Sequence, residues 1–255
     1  MLGYERLGSG SLGVIVLHDW LCDTSTWDSV RFYLNGEQFT WVFTDLRGYG
    51  KSRSETGTYT LEEAAADVVS LLDTLGWQRA VIVGHSMSTL VALHLAQTAP
   101  DRIDRAVLVC PVPPSGLGVD ASMVEALTAV ANGDDTQRIQ AMKYAMGDRL
   151  SDGWLRYKVT RWRATSDPEA VTGYVPLFAE NGVPNPKATV TVPLLAVTGE
   201  QDDAPMRSAA VQACFSPLCP NLTVAPIAEC GHYPMQETPP LLATILERFL
   251  RQSAT

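Results

Sequence analysis

Ala80-Val81-Ile82-Val83-Gly84-His85-Ser86-Met87-Ser88 decides the reading of this chain. Its first four residues form a continuous apolar run, as expected for a strand buried on both faces of a parallel sheet. Gly84-His85-Ser86-Met87-Ser88 then sets small residues two before and two after a serine. The chain beyond reads as a helix from about Met87 to Gln97 that stops before Pro100. A strand that enters such a pentapeptide and leaves it as a helix needs a sharp turn. That turn holds the serine in a strained backbone conformation with its Oγ exposed above the sheet. The helix also directs its N-terminal dipole toward negative charge developing nearby. Ser86 is thus the candidate nucleophile, and its flanks argue against a turn without chemistry.

Similar runs recur on both sides: Val14–Leu17, Trp41–Phe43, Ala106–Val109, Leu194–Val197 and Leu222–Ala225. Helical patterns fall between several of them. Leu61, Ala65, Val68, Leu71, Leu72 and Leu75 make one stripe, with Thr60 and Glu63 spaced as a capping box. Thr238 and Pro239 read as N-cap and first residue of a last helix with stripe Leu242, Ile245, Leu246 and Phe249. Strand–helix alternation predicts an α/β fold, a doubly wound and mostly parallel sheet with helices on both faces.

Between Pro111 and about Val190 no buried strand is apparent. Met123, Leu127, Met142, Tyr144, Met146, Trp154, Tyr157, Trp162, Tyr174 and Phe178 fall there in helix-like stretches. A structureless insertion of that length is uncommon, so a compact helical unit is expected. We therefore expect a core of residues 1–112 and 190–255 with a helical lid, 113–189, between two late strands. The alternative is a small helical unit whose aromatics merely pack its own core.

Composition narrows the function classes. A net charge of −9 over 255 residues argues against a nucleic-acid surface. Met1-Leu2-Gly3-Tyr4-Glu5-Arg6 does not lead into an apolar stretch, and no apolar run is long enough to span a membrane, so neither leader nor anchor is expected. Cys22, Cys110, Cys214, Cys219 and Cys230 lack metal-ligand spacing and read as reduced thiols of a cytoplasmic protein. A Cys214–Cys219 bridge in a Pro-containing loop is the minor alternative.

Five ordered motifs together resemble the α/β-hydrolase superfamily nearly end to end. Leu17-His18-Asp19-Trp20 resembles its His-Gly-x oxyanion loop, and Asp45-Leu46-Arg47-Gly48-Tyr49-Gly50-Lys51-Ser52 its D-x-R-G-x-G-x-S turn. Gly84–Ser88, Gly199-Glu200-Gln201-Asp202 and Gly231-His232-Tyr233-Pro234 resemble its nucleophile, acid and histidine motifs. The resemblance implies a Ser86–His232–Asp202 triad, with the backbone N–H groups of Trp20 and Met87 as oxyanion donors. Elimination among four histidines also favours His232. His85 lies inside the elbow, His94 lies mid-helix, and His18 ends a strand where the family keeps a structural histidine. Asp202 has the family spacing, and Asp203, one residue on, stays a competitor. The position after the previous strand, where some relatives carry the acid, reads Cys110-Pro111-Val112-Pro113-Pro114 and offers no carboxylate.

Two positions depart from the pattern. Ser88 replaces the last elbow glycine, a mild change. Asp19 stands where glycine is usual, and an anion there opposes an oxyanion unless it points away, is paired or is protonated.

The resemblance implies hydrolysis of a carboxylic ester or lactone of small to medium hydrophobic character, without metal or organic cofactor. Trp162, Asp19 and His18 are the expected substrate contacts. A small-molecule substrate, no nucleic-acid or membrane partner, and a monomer or homodimer complete the expectation. Three alternatives use the same residues: C–C bond hydrolysis of a ring-fission product (with Arg161 and Arg163 as cations for its carboxylate), cofactor-free perhydrolysis, and ligand sensing without turnover. Dehalogenase and epoxide-hydrolase chemistry is disfavoured, because those relatives hold Asp at the position of Ser86.

Overall fold

The computed structural model describes residues 1–146 and 149–252. Seven strands form one sheet in the order β1-β3-β2-β4-β5-β6-β7. These are β1 (Tyr4–Leu7), β2 (Leu12–Leu17), β3 (Phe39–Thr44), β4 (Ala80–His85), β5 (Ile103–Val109), β6 (Leu194–Gly199) and β7 (Leu222–Ile227). Six are mutually parallel, and β1 alone runs antiparallel, against β3 at the edge. The six expected runs are all strands, and β1 was not expected. Its Tyr-Glu-Arg-Leu sequence has the polar character of an edge strand with one covered face, not a continuous apolar run.

Alternate residues of the central strands feed two cores. Ile15, Leu17, Ile82, Ala106 and Leu108 pack with helices α2 (Leu61–Thr74) and α3 (Ser88–Thr98). Val14, Val16, Val81, Val83 and Val107 pack on the other face with α1 (Asp28–Arg31) and α10 (Pro239–Leu250). Two caps differ from the sequence pattern. Thr60 Oγ1 accepts from Glu63 N, but the Glu63 carboxylate reaches the N–H groups of Thr58 and Tyr59, not that of Thr60. Thr238 makes no side-chain cap; its hydroxyl donates to Pro234 O, because a short helix α9 (Pro234–Glu237) ends there.

Helices α4 (Ala121–Asn132), α5 (Asp135–Met146), α6 (Asp152–Thr165) and α7 (Pro168–Gly173) lie between β5 and β6. Among the described residues, a small cluster of Met142, Leu155 and Val159 is internal to them. Trp162, Ala170, Val171, Tyr174 and Phe178 join the main core instead. Asp167 N donates to Gly48 O at 2.8 Å, and Tyr49 bridges Ser166, so this unit is stitched to the turn after β3. Met123 and Tyr157, expected in the apolar set, are exposed, while the Tyr144 side chain lies outside the described residues. After β6, α8 (Ser208–Phe215) carries Cys214 on a helix rather than in a loop, and all five cysteines are free. No described helix is long and apolar enough to cross a membrane.

Candidate active site

Ser86 sits at φ +55°, in the left-handed region that side chains with a Cβ rarely adopt. The elbow is held by hydrogen bonds on both sides. Ser86 N donates to Val109 O at 2.9 Å, and Ser88 Oγ accepts from His85 N at 2.9 Å while donating to His85 O at 3.1 Å. Ser88 therefore closes the turn with its own hydroxyl where a glycine has none. Gly84 is required for packing: a Cβ there would meet Ser88 O at 2.4 Å.

β6 and β7 present the other two groups on adjacent loops. His232 Nδ1 lies 2.8 Å from Asp202 Oδ2, and both side chains are largely buried. Asp202 Oδ1 also accepts from Asp203 N at 2.7 Å, whereas the Asp203 side chain is exposed and makes no such pair with His232. The loops press so closely that a Cβ on Gly199 would meet Gly231 O at 2.1 Å. The Glu237 carboxylate accepts from the N–H groups of Gly231 and Tyr233, clamping the histidine between them. Burial opposes charge on both partners, yet their mutual attraction and hydrogen bond win. Asp202 is held below its ordinary pKa, and His232 is raised above 6.5. In neutral His232 the Nδ1 proton serves Asp202, which leaves the Nε2 lone pair free as a base.

His85 does more than occupy the elbow. Its Nε2 donates to the His232 carbonyl oxygen at 2.7 Å, tying the base's loop to the nucleophile's turn. Burial lowers its pKa to about 3, so the ring stays neutral. Elimination among the histidines set this residue aside, and nothing in a linear sequence signals a contact across 147 positions. Cys110, at the end of β5, contacts the Asp202 carboxylate and donates to Gly231 O at 3.6 Å.

Ser86, Asp202 and His232 line one cavity of about 170 Å³. Trp20, Leu21, Val112, Leu127, Met142, Trp162 and Phe178 supply much of its apolar wall, joined by Asp19, Asp203 and Tyr233. Trp20, Trp162 and Phe178 form a tilted aromatic cluster with ring centroids 5.1 and 5.9 Å from Trp20. Trp20 Nε1 donates to Val171 O at 2.6 Å, and Tyr49 OH donates to Trp20 O at 2.9 Å. The Trp20 backbone is fixed in this way, yet among the described residues neither its N–H nor that of Met87 has an acceptor.

Of the three expected substrate contacts, Trp162 and Asp19 line this cavity and His18 does not. His18 is fully buried, with Nδ1 at 2.7 Å from Asp19 O and Nε2 accepting from Leu46 N at 3.0 Å. With both nitrogens spent on backbone, it holds the loop. Arg161 and Arg163 are also placed differently from expectation. Arg161 pairs with Asp23 at 2.6 Å and Arg163 with Asp135 at 2.6 Å, and neither lines the cavity. Among the described residues, His85, Cys110 and His232 are the one trio whose donor atoms cluster as metal ligands do. Hydrogen bonds to Gly231, His232 and Asp202 already occupy an atom on each of them.

Asp19 is paired. Tyr233 OH donates to its Oδ2 at 2.8 Å, and Lys158 Nζ lies 3.6 Å from the same atom. Burial opposes the charge, but Lys158 and the nearby donors keep Asp19 well below the usual carboxylate range.

The sheet, the elbow and the order of these loops define a hydrolase-type α/β fold. Residues 14–245 match the model of the alpha/beta hydrolase family, and the chain belongs to that family. Among curated relatives, a putative non-heme chloroperoxidase of Synechocystis sp. is 31% identical over 132 residues, 49% of this chain and 48% of its own length. The pimeloyl-[acyl-carrier protein] methyl ester esterase of Salmonella heidelberg is 34% identical over 110 residues, 43% and 41% of the two chains. The chain thus spans about half, or less, of the length of the curated relatives it matches. A solved hydrolase from Oleispira antarctica superposes over 98% of this chain and 94% of its own, with a TM-score of 0.85 at 22% identity. That level of identity speaks to the fold alone.

Proposed function

We propose that the protein is a serine hydrolase that cleaves a carboxylic ester or lactone of a small to medium hydrophobic substrate. One observation carries the reading: a serine in a φ +55° elbow and a buried His–Asp pair open onto one apolar cavity. Ser86 attacks the carbonyl as His232 takes its proton, and Asp202 orients the ring and stabilises its charged form. The unpartnered N–H groups of Trp20 and Met87 receive the oxyanion. His232 then protonates the leaving alcohol and activates the water that releases the acid. The Asp202–His232 distance favours Asp202 over Asp203 as the acid.

The helices of 113–189 act as a lid over this site. Trp162 of α6 lines the cavity beside Trp20, which suits a hydrophobic acyl or alcohol group. C–C hydrolysis is the weaker alternative, because its two expected cations are spent in ion pairs elsewhere. Perhydrolysis uses the same triad with peroxide in place of water, and the likeness to a putative chloroperoxidase keeps it as the second reading. Five free thiols suit a reducing, cytoplasmic setting.

The test is turnover of p-nitrophenyl esters of graded chain length and of aryl lactones, with and without peroxide, beside Ser86→Ala. Turnover abolished in the variant supports the reading. Folded protein that turns over none of them points to ligand sensing.

A further inference from the structure

A lysine is almost never fully buried unless it is paired. Lys158 of α6 has no solvent exposure, and its ammonium sits beside the Asp19 carboxylate, 3.2 Å from Thr26 Oγ1 and 4.3 Å from the centre of the Tyr233 ring. Asp19 immediately precedes Trp20, and its Oδ1 is buried without any hydrogen-bond partner. Tyr233 OH serves the other oxygen, but a neutral donor does not cancel the charge, and the carboxylate lines the same cavity as Trp20 and Ser86, where the oxyanion of the proposed reaction develops. In a water-poor site an uncompensated anion there raises the energy of that transition state.

We infer that Lys158, carried by the helices between β5 and β6, is the counter-charge that makes Asp19 compatible with a working oxyanion hole. The inference rests on the serine-hydrolase reading. Lys158 touches no reacting atom; it acts through Asp19 and Tyr233 and is a positioning residue. One consequence concerns α6: the site is electrostatically complete only while that helix is seated on the core.

The experiment compares wild type, Lys158→Met and Asp19→Asn/Lys158→Met. Asn at 19 still accepts from Tyr233 OH, so the double variant removes both charges and keeps that bond. Two rates are read per folded molecule: phosphonylation of Ser86 by a fluorophosphonate, and kcat and KM for a p-nitrophenyl ester. Lys158→Met is expected to slow both phosphonylation and kcat by about 10-fold or more with KM little changed. Because it removes the anion along with its counter-charge, the double variant is expected to react about 5-fold or more faster than Lys158→Met. A merely structural tie would leave the double variant as slow as the single one. That result overturns the proposal, as does a Lys158→Met protein that reacts at the wild-type rate. If Lys158→Met does not fold, Lys158→Gln takes its place, and an Asp19→Asn/Lys158→Gln protein no faster than Lys158→Gln overturns the proposal. Wild type that neither reacts with the fluorophosphonate nor turns over ester fails differently, and removes the serine-hydrolase reading along with this one.

Discussion

His85 Nε2 donates to the backbone carbonyl of His232 at 2.7 Å. The residue before the candidate nucleophile thus positions the loop of the candidate base, and the two rings lie 5.1 Å apart. Removing the donor leaves a buried carbonyl unpaired, at a cost of about 1–3 kcal/mol, and frees the loop to shift. His85→Ala is expected to lower kcat by about 10- to 100-fold, since small misplacements of a base are costly. His85→Gln, whose amide can still donate, should recover part of the loss. Equal rates for Ala and Gln would show that the hydrogen bond does not position the base.

The raised pKa of His232 has a definite sign in activity. The ring works as a base only when neutral, so the acid limb of kcat/KM should fall at a pH above 6.5, the ordinary value. Burial alone would push the limb the other way; the Asp202 charge and hydrogen bond outweigh it. Asp202→Asn should therefore move the limb to lower pH as well as reducing kcat. Stability follows the same linkage. A histidine raised in the folded state contributes stability fully below its unfolded pKa, and loses that contribution as pH rises through the folded value. Melting curves of wild type and His232→Gln should accordingly converge as pH is raised through that window. A pH–rate limb at or below 6.5 would contradict the charge balance described here.

Trp162 is 2% exposed and lies against both Trp20 and the Arg138 guanidinium, the latter 5.1 Å from the ring centre. Trp162→Ala should enlarge the cavity and shift the best p-nitrophenyl ester to a longer chain. It should also cost about 3–5 kcal/mol of stability, as truncation of large aromatic side chains does. Trp162→Phe should show the same direction with a smaller loss. An unchanged chain-length profile in both variants would remove Trp162 from the substrate site.

Gly84 faces Ser88 O at a separation no Cβ can occupy. Gly84→Ala must push α3 away from β4 or flatten the elbow. It is expected to cost roughly 2 kcal/mol or more and to suppress Ser86 phosphonylation further than its stability loss explains. A variant with wild-type reactivity would show that the elbow relaxes without displacing the serine.

Local pattern was enough for much of this molecule. Six strands announce themselves as apolar runs: β2 to β6 are covered on both faces and have no polar side to interrupt them, whereas β7, expected to be buried in the same way, lies at the sheet edge and is half-exposed. The elbow is legible for a related reason: strand, small residues, serine and helix are contiguous, so their geometry is a short-range property. The His232 and Asp202 positions were marked by their motifs, although spacing alone could not separate Asp202 from Asp203. Only the packing of the β6 and β7 loops brings one of them to 2.8 Å from the imidazole. The edge strand β1 escaped notice because half-exposed segments carry little periodicity in four residues. Tertiary structure also decided what Asp19 is. Its partners Lys158 and Tyr233 lie 139 and 214 positions away, and a charge is compensated by whatever folds beside it rather than by its neighbours in the chain. The same holds for His18, which the loop absorbs into backbone hydrogen bonds, and for Arg161 and Arg163, which bind carboxylates outside the cavity.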